Sequence, residues 1–310
     1  MTDGSKLSIY SSLAGGVAVS AVKFGAWALS GSSAMLTEAI HSVIDTSNQL
    51  LLLFGMHRGA KPPDEKHPFG YGMEVYFWTF VVALLIFALG GAVAIYQGLL
   101  ELRHPNKIEH AGLSMAVIAT CLCLDVASLA LSRKAARQTR TAIARRSYPR
   151  ITLLRAIHIS KDPAVFEVFA ESAASIVGLL IAGAGVAGSA WLGWPLADGV
   201  ASIGIGVLLA LVAFVLAAET RSLLTGEAAA QPVVAEMNTI LKADGRVASV
   251  SEVLSMHLGP REILVAATVD FRDDLTGPEL EEAADQLSDR LKQADPRITR
   301  LFLRPGRARD

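Results

Sequence analysis

Residues 34–56 read AMLTEAIHSVIDTSNQLLLLFGM, and this stretch decides the architecture. Its length and apolar content suit a helix crossing the hydrocarbon core of a bilayer, which takes roughly 20 residues. The same stretch carries Glu38, His41, Asp45 and Asn48, spaced by three, four and three positions. Those offsets place all four on one helix face. An ionisable side chain at bilayer depth costs roughly 2.5–3.5 kcal/mol on insertion scales, so a stripe of them marks a functional path. A His and an Asp one turn apart can grip one divalent cation together.

Five further apolar segments flank this one. The full set is Ile9–Leu29, Ala34–Met56, Val75–Leu99, Ala111–Leu131, Ala164–Leu192 and Leu196–Ala218. Each is long enough to span a membrane at 1.5 Å per residue. The fifth, with GLLIAGAGVAGSA, is built for close helix packing. The Ser30-to-Ser33 connection is short, so the first two helices form an antiparallel hairpin. The 310 residues are 52% hydrophobic, with charge concentrated after residue 225. The expected division is a transport domain over 1–225 and a small soluble domain over 226–310. MTDGSKLS lacks the basic start and cleavage site of a signal peptide, so the first span is expected to be retained.

Orientation follows from the loops. Arg133–Lys161 holds nine cations and no acid, and a basic segment of this kind stays on the cytoplasmic side. With six spans, both termini are then cytoplasmic. Anionic-lipid or nucleic-acid binding by this segment is the lesser reading, and no nucleic-acid partner is expected. The net charge of −1 decides nothing about partners.

From Gln231 the pattern changes. Pro232–Asp244 has helical spacing, Val247–His257 and Glu262–Phe271 read as strands around Gly259-Pro260, Pro278–Ala294 is an amphipathic helix with an acidic start, and Ile298–Leu303 is a last strand. The order helix–strand–strand–helix–strand predicts a small α+β domain with its helices on one face of the sheet.

A second acidic pair, Glu167 and Glu171, lies one turn apart in the fifth span. Converging with His41 and Asp45 from a facing helix, it would supply one imidazole and up to three carboxylates to one cation. That count fits tetrahedral Zn²⁺. Carboxylates also suit Mn²⁺, and imidazole also suits Fe²⁺ and Co²⁺. The competing reading is that these acids make helix-packing hydrogen bonds or ion pairs.

GSSAMLTEAIHSVIDTSNQLLLLFG resembles the second span of the cation diffusion facilitator family, and DEKHPFGYGMEVYFW resembles that family's loop into the third span. The resemblance covers nearly the whole chain and implies an α-helical membrane protein with six transmembrane helices plus a small cytoplasmic α+β (ferredoxin-like) C-terminal domain. It implies a homodimeric secondary transporter, not an enzyme, that exports divalent cations, mostly Zn²⁺, from the cytosol in exchange for protons. The membrane would be the inner (plasma) membrane in a prokaryote. Zn²⁺ is then the transported substrate, with Mn²⁺, Fe²⁺ or Co²⁺ as alternatives, and no organic cofactor is expected. The family's transport site takes an i, i+4 pair from the second span and one from the fifth, which fall on His41/Asp45 and Glu167/Glu171. Glu167 departs from the usual His or Asp. A second family site in the 57–74 loop is matched by Asp64 and His67, with Tyr71 at its third ligand position, so a weak loop site at most is expected. The alternatives are an intramembrane metal-dependent enzyme and a non-transporting sensor or channel. HExxH, a cysteine–histidine nucleophile pair and a Walker GxxxxGK[ST] are all missing from the sequence.

Other polar residues in the apolar segments have simpler readings. Lys23 either snorkels or pairs with an acid such as Glu38. Asn48 and Glu38 can orient the ligands from behind, and Asp125 can pair with a site residue or relay protons. Asp198 reads as a solvated residue at the outer interface. Cys121 and Cys123 are too close for an ordinary bridge and read as packing residues. His257, the single histidine of the C-terminal region, reads as structural, so no metal cluster is expected there.

Overall fold

The computed structural model describes residues 3–105, 108, 110–146 and 163–307, with side chains described from residue 15 onward except at 128 and 130–169. Two compact units result: Met1–Gly55, Phe77–Thr141 and Pro163–Thr220 form the first, and Met56–Tyr76, Ala142–Asp162 and Arg221–Asp310 the second.

The first unit is helical. Its helices are α1 (Asp3–Ser30), α2 (Ser33–Gly59, whose last residues enter the second unit), α3 (Glu74–Arg103), α4 (Ala111–Arg146), α5 (Pro163–Ala190) and α6 (Ala197–Leu224). Each apolar segment of the sequence falls on one of them. Among the described residues, Glu74–Arg103, Ala170–Ala190 and Ala197–Leu224 are long and apolar enough to cross a membrane, and Ala111–Ala127 is a shorter apolar helix. The polar stripe of α2 makes that helix less apolar than these three. α4 continues to Arg146, so half of the expected basic loop is helix instead. Its Ala, Arg, Lys and Gln residues are strong helix formers, which carries the helix past the end of the apolar run.

The turn between α1 and α2 is tight. Gly31 takes φ +70°, a left-handed conformation that suits glycine, and its N–H bonds the Trp27 carbonyl at 2.8 Å. Ser32 then caps α2, its hydroxyl accepting from the Met35 N–H at 3.2 Å.

Glycines set the helix spacing. On α3 and α6, Gly98 faces Gly199 and Gly91 faces Gly206. A Cβ on Gly206 would sit 2.8 Å from the Gly91 carbonyl oxygen and 2.9 Å from the Ile95 nitrogen. These are backbone atoms that cannot rotate away. On α5, Gly185 and Gly188 meet the Cβ atoms of Ala201 and Ala197, so the Gly/Ala-rich run packs as its composition predicted. Met35, Ile86, Leu179, Ile205, Leu209 and Leu216 are buried among the helices. Within α3, Ile86–Ala92 is a π-helical segment. Its Gly90 lies against Leu209 of α6 and Ile44 of α2.

The second unit contains α7 (Gln231–Lys242), β1 (Val247–Gly259), β2 (Glu262–Phe271), α8 (Gly277–Ala294) and β3 (Ile298–Pro305), in the predicted order. The sheet runs β1-β2-β3, with β1 and β2 antiparallel and β2 and β3 parallel. A parallel pair needs a crossover, and α8 supplies it. Ile263, Val265, Ala267, Val269 and Phe271 alternate along β2 into a core with Met237, Leu241, Ala283, Leu287 and Leu291 of the helices. Thr276 and Glu279 form a capping box at the start of α8. The α2–α3 loop belongs to this unit. Arg58 pairs with Glu74 at 2.9 Å, and Gly72 lies so close to the β1–β2 turn that a Cβ would stand 2.5 Å from the Leu258 carbonyl oxygen.

Candidate cation site

Helix α2 holds the polar stripe as its spacing requires. Glu38, His41 and Asn48 are buried, and the Asp45 side chain is one-quarter exposed. His41 Nδ1 lies 3.3 Å from Asp45 Oδ1. Both His41 ring nitrogens and Asp45 Oδ1 are without a hydrogen-bond partner among the described residues. Burying such groups unpaired costs roughly 1–3 kcal/mol each, so the arrangement holds lone pairs in reserve.

The facing helix brings Glu171. Asn48 Nδ2 donates to Glu171 Oε1 at 2.7 Å and ties α2 to α5. Glu167 stands one turn earlier on α5, with its side chain outside the described residues. Four residues beyond Glu171, the Ser175 hydroxyl donates to Asp125 Oδ2 of α4 at 2.6 Å. On the other side, Lys23 of α1 meets Glu38 Oε2 at 3.0 Å, so the lysine pairs inward. Polar side chains of α1, α2, α4 and α5 thus meet across the first unit. Among the described residues, no three His, Cys, Asp or Glu side chains are grouped to hold a metal ion; the donors stand in pairs.

Asp198 corrects the expectation of a solvated acid. It is 1% exposed, and its carboxylate accepts from Ser32 Oγ at 2.7 Å, Ser33 N at 2.6 Å, Ser33 Oγ at 3.0 Å and Ala34 N at 3.3 Å. An acid at the start of α6 therefore caps the helix that carries the stripe. The amides at a helix N-terminus lack internal acceptors and attract negative charge. Its partners lie more than 160 positions away, so local sequence gave no sign of it. Ser175 and Gly178 were likewise missed, although their spacing from Glu171 puts them on its face of α5.

The loop residues are exposed and already bonded. Asp64 Oδ1 accepts from the Lys66 and His67 N–H groups, and Oδ2 accepts from the Tyr71 hydroxyl at 2.6 Å. The Tyr71 hydroxyl, then the His67 N–H, hold the Asp64 carboxyl below its ordinary range, and the Tyr71 phenol is raised in turn. The His67 ring lies against that of Tyr71 with centroids 4.1 Å apart. In the second unit, His257 is buried near the end of β1, its backbone N–H bonding the Glu227 carbonyl. Cys121 is buried, Cys123 is exposed, and both are free thiols.

A family model of the cation efflux transmembrane domain matches residues 9–225. The chain is 31% identical over 250 residues to the mitochondrial proton-coupled zinc antiporter SLC30A9 of Mus musculus, covering 80% of this chain and 43% of that protein. It is 31% identical over 261 residues to metal tolerance protein C4 of Arabidopsis thaliana, covering 83% and 55%. Against the cation-efflux pump FieF of Klebsiella pneumoniae the identity is 22% over 276 residues, covering 89% and 84%. The chain spans less than half the length of the mitochondrial antiporters it matches. On the match over most of its helical part, the chain belongs to the cation efflux, or cation diffusion facilitator, family of membrane transporters.

Proposed function

We propose that the chain is a secondary transporter that exports divalent cations, Zn²⁺ foremost, from the cytosol in exchange for protons, through a site formed by His41, Asp45, Glu167 and Glu171. The observation that carries this reading is the His41 imidazole. It is buried, neither nitrogen is hydrogen-bonded among the described residues, and an equally unbonded Asp45 oxygen stands 3.3 Å away. Imidazole and carboxylate together are Zn²⁺ ligands. Asn48 supports the reading by holding Glu171 toward α2. Mn²⁺, Fe²⁺ and Co²⁺ would compete for the same donors. Ligation requires the deprotonated groups, so protons and metal exclude one another there, and this exclusion couples the two fluxes without ATP. The relatives named as a proton-coupled zinc antiporter and a cation-efflux pump agree with this choice.

In this reading the 1–225 domain crosses the membrane six times with both termini cytoplasmic, as its basic segment favours, and the membrane is the inner one if the source is prokaryotic. The 226–310 domain joins two copies into a homodimer. Among the described residues no helix covers the sheet face where Leu254 and Phe302, both paired with Ala266, are more than half exposed. Asp64 and His67 play no more than a minor part in cation capture, because both Asp64 oxygens are already engaged.

The test is Zn²⁺ flux into proteoliposomes with and without a pH gradient. Flux driven by the gradient and abolished by His41→Ala in a monodisperse protein is expected. Flux indifferent to the gradient, or normal in His41→Ala, refutes the reading; the first outcome would indicate a channel.

A further inference from the structure

One buried charged group of α2 has bonding capacity to spare beyond the pairs already described. Glu38 is fully buried, and its Oε2 accepts from the Lys23 ammonium at 3.0 Å. Its Oε1 has no hydrogen-bond partner among the described residues. A Cβ on Gly178 of α5 would lie 2.6 Å from that oxygen, so the oxygen points into space that glycine leaves open. Glu38 lies one turn from His41 on the same face, nearer the Ser30–Ser33 turn. Beyond Glu38 toward that turn the polar groups are matched: Asp198 holds Ser32 and Ser33, and Thr37 reaches Ser202 at 3.5 Å. A buried ion pair is weak evidence for stability, since desolvation costs several kcal/mol per ion. Lys23 and Glu38 therefore call for another reason.

We propose that Glu38 is a second divalent-cation position, one helical turn from His41 toward the Ser30–Ser33 turn, and that the Lys23 ammonium occupies it while no cation is passing. The inference rests on the transport reading and its orientation, which make this the exit side. Its donors are a carboxylate oxygen and the unbonded His41 imidazole, a set that suits Zn²⁺ and its neighbours. Lys23 is a tethered monocation competing with the arriving dication for one carboxylate. It yields when the dication steps outward from His41 and Asp45, and it returns to displace the dication. Its role is to keep residence at Glu38 short.

The experiment measures Zn²⁺ affinity by calorimetry and maximal Zn²⁺ flux in proteoliposomes on the full chain. Lys23→Met should bind Zn²⁺ about tenfold tighter and transport about tenfold slower, because release now waits on Glu38. Lys23→Arg keeps a tethered charge, in a planar fork able to engage both Glu38 oxygens, and should not reproduce the tighter Zn²⁺ binding of Lys23→Met. Glu38→Gln should leave affinity within about threefold and lower maximal flux about tenfold, and the Lys23→Met/Glu38→Gln double variant should lose the tightening. Unchanged affinity in Lys23→Met, or tightening that survives Glu38→Gln, overturns the proposal. If Lys23→Met aggregates, Glu38→Gln alone decides, and undiminished maximal flux overturns it. His41→Ala is the separate arm: Zn²⁺ affinity retained there defeats the transport-site reading itself, whatever Glu38 does.

Discussion

Replacing Asp198 with alanine removes the acceptor for two backbone amides and two hydroxyls at the start of α2. The Ser33 hydroxyl has an alternative, since Ser202 Oγ lies 3.0 Å away; Ser32 keeps the bond it accepts from the Met35 amide but loses the acceptor for its own O–H. The Ser33 and Ala34 amides are buried and have no such freedom. Leaving a buried donor unsatisfied costs about 1–3 kcal/mol, and losing the charge at the helix N-terminus adds up to about 1 kcal/mol. A total near 3–5 kcal/mol follows for Asp198→Ala. Asp198→Asn keeps one good acceptor and should cost about half as much. At about 2 °C per kcal/mol for a chain of this size, the alanine variant should lose about 6–10 °C in apparent melting temperature. The assay is thermal unfolding of the purified protein in detergent at one fixed scan rate, with Zn²⁺ chelated so that binding does not shift the curve. An alanine variant melting within 1 °C of the unaltered protein, on the scale of that shift per kcal/mol, would refute the assignment of Asp198 as a load on the fold.

Gly206→Ala should destabilise the protein by about 1–3 kcal/mol, since the new methyl meets the Gly91 and Ile95 backbone, whereas Gly204→Ala, with its nearest neighbour 3.5 Å away, should cost less than about 1 kcal/mol; denaturant midpoints compare the two. The Asp244 carboxyl is pushed down to about 2, chiefly by its hydrogen bonds from the Arg246 side chain. A depressed folded-state pKa gives stability that is present above about 4, the unfolded value, and is lost as pH falls from there toward 2. Asp244→Asn should therefore remove up to about 2 kcal/mol at neutral pH and flatten the acid limb of the C-terminal unit's unfolding, followed by far-UV circular dichroism.

Sequence spacing was enough wherever the deciding interactions are local. The three-four-three stripe of α2 fixed a helix face, the alternation in Glu262–Phe271 fixed a strand with those very bounds, and the amphipathic pattern with its acidic start placed the beginning of α8 at Pro278, within one residue of Gly277. The Lys23–Glu38 pair was among the options because a buried lysine has few alternatives. Asp198 was misread because its role depends on a helix start far away in the chain. The α3–α6 contact also went unseen, although Gly91 and Gly98, like Gly199 and Gly206, repeat at seven-residue intervals that place each pair on one face. The end of the apolar run near Leu131 looked like the end of a helix, but hydropathy reports the membrane rather than the backbone, and α4 continues to Arg146.

The wide turn at Ile86–Ala92 has a geometric consequence for α3. Before it, Trp78 packs on Gly55, where a Cβ would come within 2.8 Å; at its end Gly91, and beyond it Gly98, must meet α6. Each half of the helix thus has a fixed azimuth, and an unbroken α-helix advances about 100° per residue. One surplus residue would throw the second half out of phase by that amount. A π turn absorbs such a residue without breaking the rod, so the segment acts as a phase corrector between two neighbours with different demands. Deleting a single residue there would straighten the helix and turn either the Trp78 face or the glycine face away from its partner.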